Sequence, residues 1–178
     1  PFRTLAHNGE INTLKGNINW MKIHEQDMSS SLFKNVNDLK PVIQSSSDSG
    51  ALDNVFELLV HSGKLAPLIK LMMIPDAWSK RSKTVPKNHQ DLFNFLNSTI
   101  EPWDGPAAIC ATDAKWVLAS SDRNGLRPLR YTITSDDLFY AGSETGMIKI
   151  PEEKIIEKGK LGPGQIIAID LKKGKLFK

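Results

Sequence analysis

A single cysteine among 178 residues excludes two kinds of structural support. One thiol cannot build a disulfide framework, and it cannot supply the several thiolates of a Cys-based zinc site. The four histidines are too far apart, without carboxylates at helical spacing, to predict a metal site. A lone thiol is typical of a reducing compartment, so we expect a cytoplasmic protein.

Long apolar runs are missing as well. Residues 65–75 come closest, but Pro67 and Lys70 interrupt them, whereas a membrane span needs about 18 uninterrupted apolar residues. The first residues lack a methionine and the pattern of a signal peptide, so we expect a piece of something longer. With 40% hydrophobic and 24% charged residues, the composition is that of one ordinary globular domain without a membrane partner.

The net charge is small, at +3, and unevenly distributed. Residues 149–178 contain 8 basic and 4 acidic residues, while the rest of the chain contains 15 basic and 16 acidic residues. A basic segment can bind nucleic acid or acidic lipid. In this one the lysines are separated by strand-forming residues such as Ile155 and Ile167, without an aromatic platform. We interpret it as the solvated face of a β-region and expect no nucleic-acid partner.

Apolar periodicity predicts helices in the first half of the chain. One covers residues 17–26. A second follows Ser47 and Asp48, which are favoured N-cap residues, carries an apolar stripe over residues 52–59 and stops at Gly63. Further helices are expected at 65–73 and 88–100, with a charged loop at 80–83 between them.

The second half of the chain changes to short runs of strand-forming residues. Turn-like clusters separate them, as at residues 112–115 and 135–137. Helices followed by antiparallel strands favour an α+β fold over a doubly wound sheet. The predicted strands are 107–111, 116–119, 129–133, 138–141, 165–169 and 175–177.

Residues 7–12, with the sequence HNGEIN, form one unusual stretch. An Asn-Gly pair can be a simple turn. It can also present two donors side by side, the side-chain amide of Asn8 and the backbone N–H of Gly9. Two donors aimed at one point make an oxyanion hole for acyl transfer. Gly9 would then be needed because a side chain would block the approach of substrate to the amide.

Asp48 also has two interpretations. It can cap the helix that follows it, since aspartate is a favoured N-cap residue. Alternatively, its carboxylate can face a pocket and bind a cationic group, such as the ammonium of an amino acid.

Three further stretches have simpler interpretations. Residues 122–130 are either a β-turn around Asn124 and Gly125 or an ion-pair network of three arginines with Asp122. Residues 159–164 are glycine-rich but lack the ending of a phosphate loop, so a turn is predicted. Cys110 lies in a strand pattern, where we expect a small buried hydrophobe with no activating base.

Four stretches together resemble the class II glutamine amidotransferase domain of glutamate synthases. They are residues 1–13 (PFRTLAHNGEINT), 46–49 (SSDS), 101–107 (EPWDGPA) and 121–128 (SDRNGLRP). The first and fourth are long and fairly specific, and the likeness extends from residue 1 to at least residue 164. Other class II amidotransferases share the HNG, SDS and RNG elements, whereas the EPWDGP stretch favours glutamate synthase.

The resemblance implies an α+β fold of the N-terminal-nucleophile hydrolase type, a four-layer α/β/β/α sandwich of which this chain would supply part. In that family an N-terminal cysteine attacks the carboxamide of L-glutamine, with the α-amino group of the chain as base. Carried over by motif, Asn8 and Gly9 would be the oxyanion-hole donors, and Asp48 would hold the α-ammonium of glutamine. Full-length relatives use FMN and an iron–sulfur cluster to transfer the ammonia to 2-oxoglutarate, and neither cofactor can be located in these residues.

Two elements of the family pattern are missing from the sequence. The chain opens with Pro1 instead of the nucleophilic cysteine, and no R-[FY]-S-T segment, whose arginine grips the substrate carboxylate, precedes HNG. Arg3 is too close to Asn8 to replace that arginine and is expected to be structural. We therefore expect residues 1–178 to be the C-terminal part of the amidotransferase domain, inactive alone, poorly soluble and dependent on the rest of a parent chain.

Two alternatives to glutamate synthase stay open. One is another class II enzyme, of the amidophosphoribosyltransferase or asparagine synthetase type. The other is a non-enzymatic binding module that uses the basic residues 149–178, and it predicts binding to nucleic acid that weakens steeply as salt rises.

Overall fold

The computed structural model describes residues 2–78 and 85–178, so the predicted charged loop at 80–83 lies outside the described residues. The helices are α1 (Leu14–His24), α2 (Asp48–His61), α3 (Ala66–Met73) and α4 (Lys87–Asn97). The strands are β1 (Leu5–Gly9), β2 (Ala107–Thr112), β3 (Trp116–Ser121), β4 (Arg130–Thr134), β5 (Phe139–Gly142), β6 (Ile155–Lys160), β7 (Ile166–Asp170) and β8 (Lys175–Phe177). Short 3-10 helices lie at Val36–Leu39 and Glu152–Lys154.

The strands form two antiparallel sheets. The larger sheet has five strands in the order β1-β2-β3-β7-β8, and the smaller has three in the order β5-β4-β6. Residues of α2 and α3 form the main core with one face of the larger sheet. The smaller sheet packs on the other face, where Phe139 and Ala141 contact a cluster that contains Ala108 and Ala119. This arrangement confirms the α+β prediction and supplies the α/β/β part of the expected sandwich.

Helix α2 forms where the sequence predicts it, and its ends explain why. The side chain of Ser47 accepts a hydrogen bond from Gly50 N at 3.1 Å, which satisfies one of the free N–H groups of the first turn. Gly63 follows the last turn with a φ of +87°, a conformation that favours glycine. The helix buries Leu52 and Val55, each 1% exposed, and each such side chain contributes about 1.5–3 kcal/mol.

The sequence predicts a turn or an oxyanion hole for the HNG stretch, whereas the structure shows these residues as the end of strand β1. Its pairing partner β2 lies about a hundred residues later, and the register runs from Leu5 opposite Ala111 to Gly9 opposite Ala107. Strand structure here is therefore imposed by a distant segment, as is common for β-sheets.

Three local predictions are corrected by the structure. Helix α1 begins at Leu14, earlier than expected, directly after a residue in the left-handed conformation. Gly159 belongs to β6, and the predicted turn is confined to residues 162–165, where Gln165 N donates to Gly162 O at 3.1 Å. Cys110 is exposed instead of buried, because the side of β2 on which it lies is not covered at that position.

The basic segment is a solvated β-region, as predicted. Its lysines pair with acidic side chains at 3.1 Å (Lys154 with Asp136) and 2.8 Å (Lys158 with Glu152). Such exposed pairs reduce the positive charge that is free to attract a polyanion. Within residues 2–78 and 85–178, no helix has both the length and the apolar character that crossing a membrane requires.

Candidate active site

Strand β1 forms an edge of the larger sheet, and hydrogen bonds at its two ends define which of its N–H groups face outwards. At one end Thr112 N donates to Thr4 O at 2.8 Å. At the other end Glu10 N donates to Pro106 O at 3.0 Å. Because hydrogen-bonded and non-hydrogen-bonded positions alternate along an antiparallel pair, the odd-numbered residues of 5–11 direct their N–H groups away from β2.

Two carboxylates of α2 bind the first and last of these outward N–H groups. Leu5 N donates to Asp53 Oδ1 at 3.0 Å, and Ile11 N donates to Asp48 Oδ2 at 2.7 Å. The N–H of Gly9 lies between them on the same edge, and no hydrogen-bond acceptor meets it in the described part of the chain. The edge therefore offers a free backbone donor at Gly9.

Asn8 supplies a second free donor beside it. Side chains alternate across a strand, so Asn8 points to the opposite face of the sheet from its two neighbours. It is exposed, and its amide makes no hydrogen bond to residues 2–78 or 85–178. Asn8 and Gly9 thus present a side-chain amide and a backbone N–H from consecutive residues, and the role predicted for them is donation to an oxyanion.

Gly9 is required by its surroundings. A Cβ atom built on Gly9 would lie 1.8 Å from the carbonyl oxygen of Pro106, far inside van der Waals contact. This contact is with backbone, which cannot move aside as a flexible side chain would. The structure therefore gives a second reason for glycine, in addition to the predicted one of access for substrate.

Asp48 does not cap α2, because Ser47 performs that role. Instead its carboxylate reaches across to β1. The hydrogen bond from Ile11 N lowers the pKa of Asp48, against the opposing effect of partial burial, so the group is ionised at neutral pH. Its second oxygen makes a long contact, 3.4 Å from Ser49 Oγ, and the backbone N–H of Ser49 also contributes to lowering the pKa of this carboxyl. That oxygen keeps capacity to accept hydrogen bonds from a cationic ligand.

His7 and Ser49 complete the connection, and sequence reasoning missed this pair. His7 Nε2 and Ser49 Oγ are hydrogen-bonded at 2.6 Å. Burial lowers the pKa of His7, although the nearby charge of Asp48 opposes the shift, so the imidazole is neutral at physiological pH. His7 directly precedes Asn8, and Ser49 directly follows Asp48. This hydrogen bond connects the HNG and SDS motifs. The available sequence signal was that His7 and Ser49 each lie next to a predicted site residue.

The EPWDGP stretch braces the same segment from the other side. Asn12 N donates to Asp104 O at 2.7 Å. A Cβ on Gly105 would lie 2.1 Å from Glu10 O, so the two backbones are in close contact. Trp103, which is 3% exposed, anchors the stretch in the core. This motif therefore supports the position of the HNG segment.

The SDRNGLRP stretch is a turn organised by one carboxylate. Asp122 accepts hydrogen bonds from the backbone N–H groups of Asn124, Leu126 and Arg127 at 3.0 to 3.1 Å, and from Ala107 N at 3.1 Å. Of the two interpretations of this stretch, the turn is right. Across the described ranges, no arginine pairs with Asp122.

Arg3 and Cys110 are not among the donors at this site. The guanidinium of Arg3 pairs with Glu57 on α2 at 2.7 Å, as expected for a structural residue. Cys110 is an exposed residue, but the protein around its sulfur replaces part of the water there and raises the pKa of the thiol. At neutral pH Cys110 is therefore a poor nucleophile.

Metal binding is not indicated by the residues that the structure describes. No group of three histidine, cysteine or acidic residues that could hold a metal ion occurs in the part of the chain that the structure describes. An iron–sulfur cluster is held by several cysteine thiolates, and the chain has one. We assign no residue of this chain to a cluster or to FMN.

The chain is most informatively compared with glutamate synthases. It is 58% identical over 180 residues to the large chain of the NADPH enzyme of Azospirillum brasilense, covering 100% of this chain and 12% of that protein. It is 46% identical over 179 residues to the NADH enzyme of Saccharomyces cerevisiae, covering 99% of this chain and 8% of that protein. The chain thus spans a small part of the relatives that it matches.

A solved structure and a family model also match the chain. The glutamine phosphoribosylpyrophosphate amidotransferase of B. subtilis, in complex with ADP and GMP, matches with a TM-score of 0.48 and 20% identity, covering 97% of this chain and 28% of that one. The family model described as "Glutamine amidotransferases class-II" matches residues 1–178. As its motifs predicted, the chain belongs to the class II glutamine amidotransferases.

Proposed function

We propose that this chain is part of the glutaminase domain of a glutamate synthase, and that Asn8, Gly9 and Asp48 bind L-glutamine during its hydrolysis. The observation that carries the proposal is the free N–H of Gly9 beside the free amide of Asn8 on an edge strand whose next outward N–H is held by Asp48. The similarity to glutamate synthases supports the choice of parent enzyme.

Asn8 and Gly9 act on the oxygen of the glutamine carboxamide. When a cysteine thiolate of the parent chain adds to the carboxamide carbon, the carbonyl oxygen gains a negative charge. The two donors stabilise that charge where it develops, which lowers the barrier. The C–N bond then breaks, the nitrogen takes a proton and leaves as ammonia, and water hydrolyses the thioester to glutamate.

Asp48 acts on the other end of the substrate. Its ionised carboxylate binds the α-ammonium of glutamine through charge-assisted hydrogen bonds. Since Asp48 is tied to Ile11 N, two residues after Gly9, this contact fixes the distance between the ammonium and the oxyanion donors. Rigid spacing of this kind favours the reactive geometry of the bound substrate.

The remaining parts of the reaction belong to the parent chain. We propose that it supplies the nucleophilic cysteine, the arginine for the substrate α-carboxylate and the domain in which ammonia meets 2-oxoglutarate. FMN and an iron–sulfur cluster, when bound there, would supply the electrons. The cytoplasmic location stays a prediction.

The test is substitution Asn8→Asp in the parent enzyme. Aspartate has nearly the same shape but no N–H donors, so kcat for glutamine hydrolysis is expected to fall about 10²- to 10³-fold. The matched control is Asn94→Asp on the exposed surface of α4, which should leave kcat unchanged. A parent enzyme without glutaminase activity would contradict the proposed function, and equal kcat values for the two variants would contradict the role of Asn8. The 178-residue chain alone should release no ammonia from glutamine.

A further inference from the structure

Lys70 on α3 is a buried lysine that the proposed mechanism does not use. It is 1% exposed, among residues of the main core such as Ile69 and Met73. Its ammonium donates to the carbonyl oxygen of Gly164 at 3.0 Å. Removing an ammonium from water is costly, and its burial lowers the pKa of Lys70 to about 7 although Asp76 and Asp122 oppose the shift. A lysine in this position needs an explanation.

Asp76 and Asp122 are the two carboxylates whose charges interact with that of Lys70, and Asp122 is the buried one of the two. It is 1% exposed and directly follows the last residue of β3. Its backbone carbonyl accepts a hydrogen bond from Gly164 N at 2.8 Å, while the carbonyl of the same glycine accepts from Lys70. The three residues are therefore linked through Gly164 as well as by charge. Removing one partner of a buried pair of opposite charges leaves the other charge uncompensated, which is costly.

The Asp122 carboxylate leads directly to the oxyanion donors. It accepts from Ala107 N at 3.1 Å, which fixes the first residue of β2. Ala107 lies opposite Gly9 in the register, and the carbonyl of Pro106, just before it, accepts from Glu10 N at 3.0 Å. The start of β2 thus defines the position of the backbone around Gly9 on one side, as Asp48 does on the other.

We propose that Lys70 is a positioning residue, which acts through Gly164 and Asp122 to hold the start of β2 and, with it, the oxyanion-binding N–H of Gly9. This inference rests on the proposed glutaminase function. A methionine in place of Lys70 would keep the volume but leave the Gly164 carbonyl unpaired and Asp122 uncompensated. The buried charge of Asp122 would then lack its neighbouring cation and Gly164 its side-chain donor, so the start of β2 would lose a fixed reference and Gly9 its fixed position.

The experiment compares Lys70→Met with Lys22→Met in the parent enzyme. Lys22 is exposed on α1 and serves as the matched lysine-to-methionine control. A misplaced donor affects the transition state more than the ground state, so Lys70→Met should lower kcat about tenfold to hundredfold, with KM for glutamine within about threefold of the wild type. Lys22→Met should change neither.

A binding measurement separates positioning from general loss of structure. An aldehyde analogue of glutamine forms a tetrahedral adduct with the nucleophilic cysteine and so uses the oxyanion donors, whereas glutamate binds as product without that adduct. Lys70→Met should weaken the aldehyde about tenfold or more and leave glutamate binding within about threefold. Equal weakening of both ligands would overturn the proposal, since it would indicate a general structural defect.

The remaining outcomes are also decisive. A wild-type parent without glutaminase activity would remove the proposed function, and the inference with it. An active wild type together with a folded Lys70→Met variant of unchanged kcat would overturn the inference alone. If Lys70→Met fails to fold, the double variant Lys70→Met/Asp122→Asn removes both buried charges and should fold with the same loss of kcat. A folded double variant with wild-type kcat would overturn the proposal.

Discussion

The two faces of the larger sheet differ in what covers them. Ile109 on the helix side is 1% exposed and belongs to the main core, whereas its neighbour Cys110, on the opposite side, is exposed. Asn8 lies on that same open side. The smaller sheet covers β2 and β3 at Ala108 and Ala119, but it leaves β1 open. One sheet therefore has a face that is largely packed in the core and a face that is only partly covered.

Because of this difference, residues that stabilise the core and residues proposed to bind substrate alternate within the five residues of β1. Leu5 in β1 points into the core, and three residues later Asn8 presents a free amide to the open side. Because side chains alternate with a period of two, a shift of one residue in the register would exchange these roles. The bonds of Asp53 and Asp48 to Leu5 and Ile11 oppose such a shift.

The largest effect is expected from Gly9→Ala, because this substitution should affect both the packing of β1 against β2 and the proposed oxyanion donor. The new Cβ would lie 1.8 Å from the carbonyl oxygen of Pro106, so β1 or β2 has to move. We expect the parent enzyme to lose glutaminase kcat by about 10²-fold or more, and the free energy of unfolding to fall by roughly 1–3 kcal/mol. Activity assays and urea unfolding measure the two effects.

The control for this prediction is Gly174→Ala. Gly174 lies in the turn between β7 and β8, and no atom would lie within 4 Å of its added Cβ. Its φ of +59° makes alanine strained, with an expected destabilisation of about 1–2 kcal/mol. The glutaminase activity should not change, and a similar loss of activity in both variants would contradict the role of the contact with Pro106.

Substitutions at Ile109 and Cys110 compare the two faces directly, since these neighbours point to opposite sides of β2. Ile109→Ala should lower the free energy of unfolding of this chain by about 2–5 kcal/mol, because it leaves a cavity in the core. Cys110→Ser should change it by about 0.5 kcal/mol or less, as for other exposed positions. Urea unfolding followed by tryptophan fluorescence gives both values, and equal effects would mean that the two faces are covered equally.

Sequence alone predicted the elements whose information is local. The stripe of α2, its Ser47 cap and the turn at Gly63 lie within one segment, and all three are confirmed. Strand β1 could not be predicted in the same way, since its polar residues become a strand only by pairing with β2. The prediction that Cys110 is buried was wrong for a related reason. An alanine-rich strand pattern does not show which face of the strand another layer covers.

The sequence indicated which residues to consider for the candidate site, but not which hydrogen bonds and charges connect them. Asn8, Gly9 and Asp48 were singled out by residue type and by the resemblance to a family, and the structure brings their motifs together. The bond between His7 and Ser49 was missed because 42 positions separate its partners in the chain. The compensation of Asp122 by Lys70 was missed because a lysine in an apolar helix gives no sign of what it faces.

The smallest effect is expected in the reactivity of the Cys110 thiol. Its side chain is exposed, so iodoacetamide should modify it completely in the folded chain. The partial replacement of water around its sulfur raises the thiol pKa, so the thiolate fraction at neutral pH is lower than in a free cysteine. The rate should therefore be lower than for the unfolded chain and should rise as the pH is raised. Mass spectrometry of the peptide that contains Cys110 measures this rate.

The same measurement on the parent enzyme tests whether the open face stays open. If the rest of the amidotransferase domain packs on the side of the sheet that carries Cys110 and Asn8, Cys110 should react more slowly in the parent than in this chain. The unfolded parent gives the rate without protection, so that any slowing can be attributed to the folded structure. Equal rates in the folded parent and in this chain would contradict the expectation that other parts of the parent cover this face.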